Sequence, residues 1–172
     1  MKKILFISLV SIFSSCGFYS FTGASISSDV KTFSVNYFNN KATTVNASLS
    51  SVFTETLKEH FTKQTSLEQI ENDGDLSFKG EITSYSIKPI AIQSNETARQ
   101  NRLTIKVRVE FINKIDETKN FKTTFSRYRD FSASNDLGAL PDDEDNVSEE
   151  VLMQEICEEL VEDIFNKSVV NW

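Results

Sequence analysis

Between Asn101 and Asn113 the chain alternates without a break. Leu103, Ile105, Val107, Val109 and Phe111 fall on one side, and Arg102, Thr104, Lys106, Arg108 and Glu110 on the other. Side chains of a strand point to opposite faces in turn, so this segment predicts a β-strand with one apolar and one charged face. A sheet built on it buries one face, and amphipathic elements must cover that face. Phe121 to Phe131 supplies a second strand, with Phe121, Thr123 and Phe125 alternating. The short polar connection around Asp116-Glu117 makes the two an antiparallel hairpin.

Two segments have the spacing needed for the cover. From Ser48 to Lys63, the residues Leu49, Val52, Phe53, Leu57 and Phe61 recur on one helical stripe, with Ser48 placed as N-cap. Near the C-terminus, Val147, Val151, Leu152, Ile156, Leu160, Ile164 and Phe165 form a second stripe running to about Val170, bordered by Cys157. Asn146 with Glu149 resembles a capping box at its start. Val30 to Phe38 predicts a first strand, with Phe33, Val35 and Tyr37 on one face. The turn sequence Asn72-Asp73-Gly74-Asp75 opens another strand, Leu76 to Ile82, and Lys88-Pro89 closes that segment. Ile90 to Gln100 is polar and is expected to be a loop.

The order β-α-β-β-β-α predicts an α+β fold. It is a two-layer sandwich, with a mainly antiparallel four-stranded sheet and two helices on one face. The first two strands are joined through a helix, so that pair is the one able to run parallel. Residues 30–172 form one domain, and no internal repeat is visible.

The first residues carry a different signal. Lys2 and Lys3 precede an apolar run from Ile4 to Phe13, then Ser14, Ser15 and Cys16. A spanning helix needs roughly 20 apolar residues, and this run is far shorter. It has the layout of a bacterial lipoprotein leader, with residues 1–15 removed and Cys16 acylated, although Phe13 stands where Leu is usual. The alternative is an ordinary secretory signal cut near Ser15. Gly17 follows the cysteine in place of the Asp that retains many lipoproteins at the inner membrane, so an outer-membrane destination is expected. Residues 16–29, rich in Ser, Gly and Thr, form the tether.

The formal net charge is -7, which argues against nucleic-acid partners. With Cys16 acylated, Cys157 has no partner and is expected to be a buried thiol. No nucleophile elbow, phosphate loop or metal-ligand set is present, and His60 is the only histidine. Asp142-Asp143-Glu144-Asp145 lacks the spacing and glycine of a calcium loop. No cofactor, no metal and no enzymatic activity are expected. The cations Arg99, Arg102, Lys106, Arg108, Lys122, Arg127 and Arg129 gather on the hairpin and its approach. One expectation is a positive patch on the open sheet face for phosphates or carboxylates of a lipid headgroup, with Arg102, Lys106, Arg108, Arg127 and Arg129 as candidate contacts. The other is cross-strand pairing with Glu110, Asp116 and Glu117.

Four stretches together resemble the LptE family, in its branch outside the proteobacteria. They are Cys16-Gly-Phe-Tyr-Ser-Phe-Thr-Gly-Ala-Ser-Ile26, Asp75-Leu-Ser-Phe-Lys-Gly-Glu-Ile82, Asn101-Arg-Leu-Thr-Ile105 and Asp163-Ile-Phe-Asn-Lys-Ser-Val-Val-Asn-Trp172. The resemblance implies a lipopolysaccharide-assembly lipoprotein with a two-layer fold. It implies a partner, the outer-membrane β-barrel LptD, which the family's members plug and help to assemble. It also implies a role in delivering lipopolysaccharide to the outer leaflet, which some members bind through basic residues. Only Cys16, the acylation site, carries over by position. The competing expectations are an accessory lipoprotein or pilotin of another envelope export system, and a periplasmic hydrolase.

Overall fold

The computed structural model describes residues 26–44, 46–90, 100–132 and 148–170. Cys16 with its leader, the tether up to residue 25, Arg99, the acidic loop at 142–145 and Asn146 lie outside the described residues.

Among the described residues there are six strands and two α-helices: β1 (Thr32–Val35), β2 (Asn39–Asn40), α1 (Leu49–Gln64), β3 (Glu68–Gln69), β4 (Leu76–Ile90), β5 (Gln100–Asn113), β6 (Phe121–Ser132) and α2 (Glu149–Phe165). A 3₁₀ turn at Glu117–Lys119 joins β5 to β6, and a π-turn at Asn166–Val170 ends the chain's last helix. The strands lie in the order β3-β1-β4-β5-β6, with β2 also paired to β4. β1 runs parallel to β3 and β4, and β2 runs parallel to β4. The sheet is therefore mixed and six-stranded, which corrects the expected four-stranded, mainly antiparallel one. The crossover through α1 brings β1 back parallel to β4, as its length allows. The antiparallel part, β4-β5-β6, carries the long strands, and both helices cover the same face.

The core is aromatic. Phe61 of α1 lies 5.6 Å from Phe33, 4.6 Å from Phe78 and 5.1 Å from Phe165, centroid to centroid. Phe78 continues to Phe111 at 5.0 Å, and Phe111 to Phe121 at 5.2 Å. One chain of rings thus ties β1, α1, β4, β5, β6 and α2. Each buried ring contributes about 1.5–3 kcal/mol by area, and tilted pairs add to that. Cys157 is fully buried, and burial pushes its thiol up to about 12.

Two local expectations are corrected. Alternation fails after Val35: Tyr37 is exposed and Phe38 is fully buried. The Phe38 N–H donates to the buried Thr54 hydroxyl of α1 at 3.1 Å, which turns the ring inward against Phe53. β4 continues through Lys88-Pro89, because beyond Ile82 it has neither β1 nor β2 beside it. A strand edge of that kind tolerates proline. A bulge between Ile82 and Ser84 moves the apolar set from Leu76, Phe78 and Ile82 to Tyr85 and Ile87.

The helix starts also differ from expectation. Ser48 stands at the N-cap of α1 without a side-chain cap, and its hydroxyl donates to Asn46 instead. Ser148 caps α2 by accepting from the Val151 N–H. Glu149 is thus the first helical residue, and Asn146, its expected capping-box partner, lies outside the described residues. The Glu149 carboxylate accepts from the Tyr85 hydroxyl and from Asn46 Nδ2, the latter at 2.7 Å. Burial and that carboxylate together push the Tyr85 hydroxyl far above its ordinary range.

Two glycines sit where backbone approaches closely. A Cβ on Gly80 would come within 2.1 Å of the Arg108 carbonyl oxygen and 2.5 Å of the Phe38 ring. A Cβ on Gly74 would lie 2.7 Å from the backbone at Phe33 and Ser34. In the same turn the left-handed position falls on Asp73, at φ 65°.

Candidate functional site

The uncovered face of β4, β5 and β6 is read in rows from the strand register. One row holds Lys88, Arg102 and Asp130; the next Ser86, Thr104 and Tyr128; the next Ser84, Lys106 and Ser126. Two further rows hold Glu81, Arg108 and Thr124, then Lys79, Glu110 and Lys122. These rows carry six cations and three acids, on a chain that is acidic as a whole.

Most of the charge pairs across strands. Arg102 donates through Nε and Nη2 to both Asp130 oxygens, at 2.7 and 2.8 Å. The hydrogen bond from Asp130 raises the Arg102 guanidinium above its ordinary value, and the Arg102 bond lowers Asp130. The same guanidinium lies 3.7 Å above the Tyr128 ring centroid. Arg108 bonds Glu81 at 2.8 Å, and Lys122 bonds Glu110 at 2.9 Å. Lys88 and Lys106 are exposed and have no acidic partner among the described residues. Of the acids expected as cross-strand partners, Glu110 pairs with Lys122, while Asp116 lies beside Lys119 in the connection; Arg102 and Arg108 pair instead with Asp130 and Glu81.

Arg127 and Arg129 are not on this face. They stand opposite Ile105 and Leu103 in the ladder, on the side that carries the helices. Arg127 bonds both oxygens of Asp163, at 2.6 and 2.5 Å. Arg129 reaches Glu155 at 2.9 Å and Glu159 at 2.6 Å. These bonds raise both guanidinium groups and lower Glu159. The five candidate contacts therefore fall into two sets on opposite sides of the sheet. Sequence spacing contained that parity, since 102, 106 and 108 face 130, 126 and 124 across the ladder, but the register had to be known. Lys88 was missed because β4 was expected to end there.

The helix layer has the opposite sign. A groove of about 590 Å³ between α1 and α2 is lined by Glu55, Glu59, Glu155, Glu158, Glu159 and Glu162, with Lys63, Arg129 and His60 among them. His60 meets the edge of Phe165 at 4.9 Å between centroids. Burial lowers its pKa, with Glu162 opposing. Among the described residues no group of three His, Cys, Asp or Glu side chains is placed to hold a metal ion. No helix among them is long and apolar enough to cross a membrane.

A hypothetical protein from Chlamydia trachomatis has a similar structure, with a TM-score of 0.52 at 13% identity over 83% of this chain and 99% of that one. A minor lipoprotein from Acinetobacter baumannii gives 0.49 at 13% identity, over 81% and 90%. The rare lipoprotein B from Shewanella oneidensis gives 0.40 at 11%, over 80% and 90%. At such identities the first shows a shared fold and no more. No curated protein matches the sequence. The family model described as LptE, lipopolysaccharide-assembly, matches residues 30–168. This span includes every strand and α-helix described above, and the chain belongs to the LptE lipopolysaccharide-assembly family.

Proposed function

We propose that this protein is a non-catalytic plug and assembly partner of an LptD-like outer-membrane β-barrel, acting in lipopolysaccharide transport to the cell surface. The family match over residues 30–168 carries the reading. Acylation at Cys16 would hold the domain at the outer membrane. The tether to Ile26 spans at most about 35 Å fully extended, which keeps the domain beside its barrel. Two acyl chains suffice for stable anchoring.

The surface supports a plug. The lumen of an outer-membrane barrel is polar, and the domain presents charge on both layers, cationic on the sheet rows and acidic between the helices. Apolar side chains are spent in one internal core. The proposed task is structural and needs no bond-making chemistry.

Affinity purification of the tagged full chain from detergent-solubilised outer membranes tests the proposal. Recovery of an LptD-like barrel is the expected result. Recovery of an exporter permease without such a barrel would move the protein to another envelope system.

A further inference from the structure

We infer that a second copy of this chain pairs with the outer edge of β6, strand beside strand and antiparallel, around a two-fold axis at Phe125. The contact is made by the chain on its own and is independent of the barrel.

β6 ends the strand order, and among the described residues it pairs only with β5. Its ladder with β5 runs from Phe121 to Ser132 without a register shift, and the strand holds no proline. Edge strands discourage pairing through bulges, prolines or free charges. Here the two arginines best placed to do so are drawn onto α2, Arg127 by Asp163 and Arg129 by Glu155 and Glu159.

Burial marks the edge as open. On the helix side of β5, Ile105, Val107, Val109 and Phe111 are fully buried. Their β6 neighbours on that side are not: Phe121, Thr123 and Phe125 are half-buried and Arg127 is exposed. Phe131, at the far end of the strand, is buried. The stretch 121–127 thus has one flank covered by β5 and the other in solvent.

The strand is complementary to itself. In an antiparallel pair centred on Phe125, residues equally distant from it face each other. Phe125 then meets Phe125 of the second copy, and Thr124 meets Ser126. Thr123 meets Arg127, Lys122 meets Tyr128, and Phe121 meets Arg129. Two rings pair at the axis, each remaining ring faces a cation, and no like charges are opposed. Other registers lack this. Centred on Arg127, the pair sets two guanidinium groups against each other. Centred on Thr123, it uses only the strand's first residues. Centred on Ser126, it loses the ring pair and spends Phe121 on Phe131, which is already buried. Self-complementarity of this kind is what a two-fold contact requires and what a foreign strand would have to match by chance. One strand pair is a small interface, so association on the order of micromolar is expected.

The test uses the purified full chain in detergent. Thr124→Cys and Ser126→Cys are prepared separately. Oxidised together, they should form a disulfide-linked dimer. Either alone should form about tenfold less, because identical positions lie diagonally across the axis and too far apart to bridge. The fully buried Cys157 does not compete. The double variant Thr124→Glu, Ser126→Glu sets each acid beside a cation of its own ladder, Arg108 or Lys106, and opposite an acid of the second copy. It should melt as the parent does and self-associate about tenfold or more weakly in sedimentation. Hydrogen exchange of the β6 amides should slow as the parent is concentrated.

Equal bridging alone and mixed overturns the inference, as does Ser126→Cys bridging to itself or a double variant that associates like the parent. Slow β6 exchange in a dilute, monomeric parent would assign the edge to a segment of the same chain and overturn it. Loss of barrel recovery in the double variant, from a parent that stays monomeric, would assign the edge to the barrel and also overturn it. A parent that pairs through β6 but recovers no barrel keeps this inference and defeats the plug. A parent that recovers the barrel and stays monomeric when concentrated does the reverse.

Discussion

The guanidinium of Arg127 lies against the carboxylate of Asp163 with two bonds of 2.6 and 2.5 Å, fastening β6 to α2. Arg129 repeats the arrangement one turn earlier on the helix, with Glu155 and Glu159. Both arginines belong to the architecture of the two layers. Arg127→Ala is expected to cost about 0.5–1 kcal/mol, since the pair is partly exposed, and Arg129→Ala about 1 kcal/mol or slightly more. Urea titration measures the loss.

Gly80→Ala is expected to cost about 3 kcal/mol or more, because the new methyl meets the Arg108 carbonyl and not a movable side-chain end. A thermal melt of the purified variant checks this. A change within a few tenths of a kcal/mol would mean that β4 and β5 are further apart than described.

Asp75 accepts from the N–H groups of Lys31 and Thr32 at 2.8 and 2.9 Å, and from the Thr32 hydroxyl at 3.0 Å. The backbone bond from Lys31, then that from Thr32, lowers its pKa below the ordinary 3.8. A depressed folded pKa stabilises above the unfolded value, and the gain is lost as pH falls through the folded one. Asp75→Asn should therefore cost about 1 kcal/mol at neutral pH, allowing for exposure. The gap to the parent should close as the pH is taken below 3.8. Denaturant midpoints over that range decide it, and a gap that widens in acid would reverse the assignment.

Cys157 is fully buried, with its thiol pushed up to about 12 by burial. A maleimide at mildly alkaline pH should leave it unmodified in the folded protein and label it in urea, as read by peptide mass spectrometry. Labelling at equal rates in both states would contradict its place on the buried face of α2.

The sequence made the layers legible where one periodicity ran uninterrupted. β5 lies within one residue of its expected start, and α1 and its stripe agree with the pattern. The parallel pairing of β1 with β4 followed from the intervening helix. What stayed hidden depended on distant partners. Phe38 turns inward because Thr54 takes its N–H, and nothing near Phe38 in the chain signals that. The bulge at Thr83 restarts the β4 pattern out of phase, so the strand's second half does not read as a continuation. The charged rows of the sheet were hidden for the same reason. Arg127 and Arg129 share the charge of Arg102 and Lys106, but their parity in the ladder sends them to the helices.

Association with a barrel is the central proposal, and mass spectrometry of proteins co-purifying with the tagged full chain from outer membranes tests it most directly. An LptD-like barrel recovered in near-stoichiometric amount is the predicted result. Its absence from detergent extracts that do contain the barrel would contradict the account.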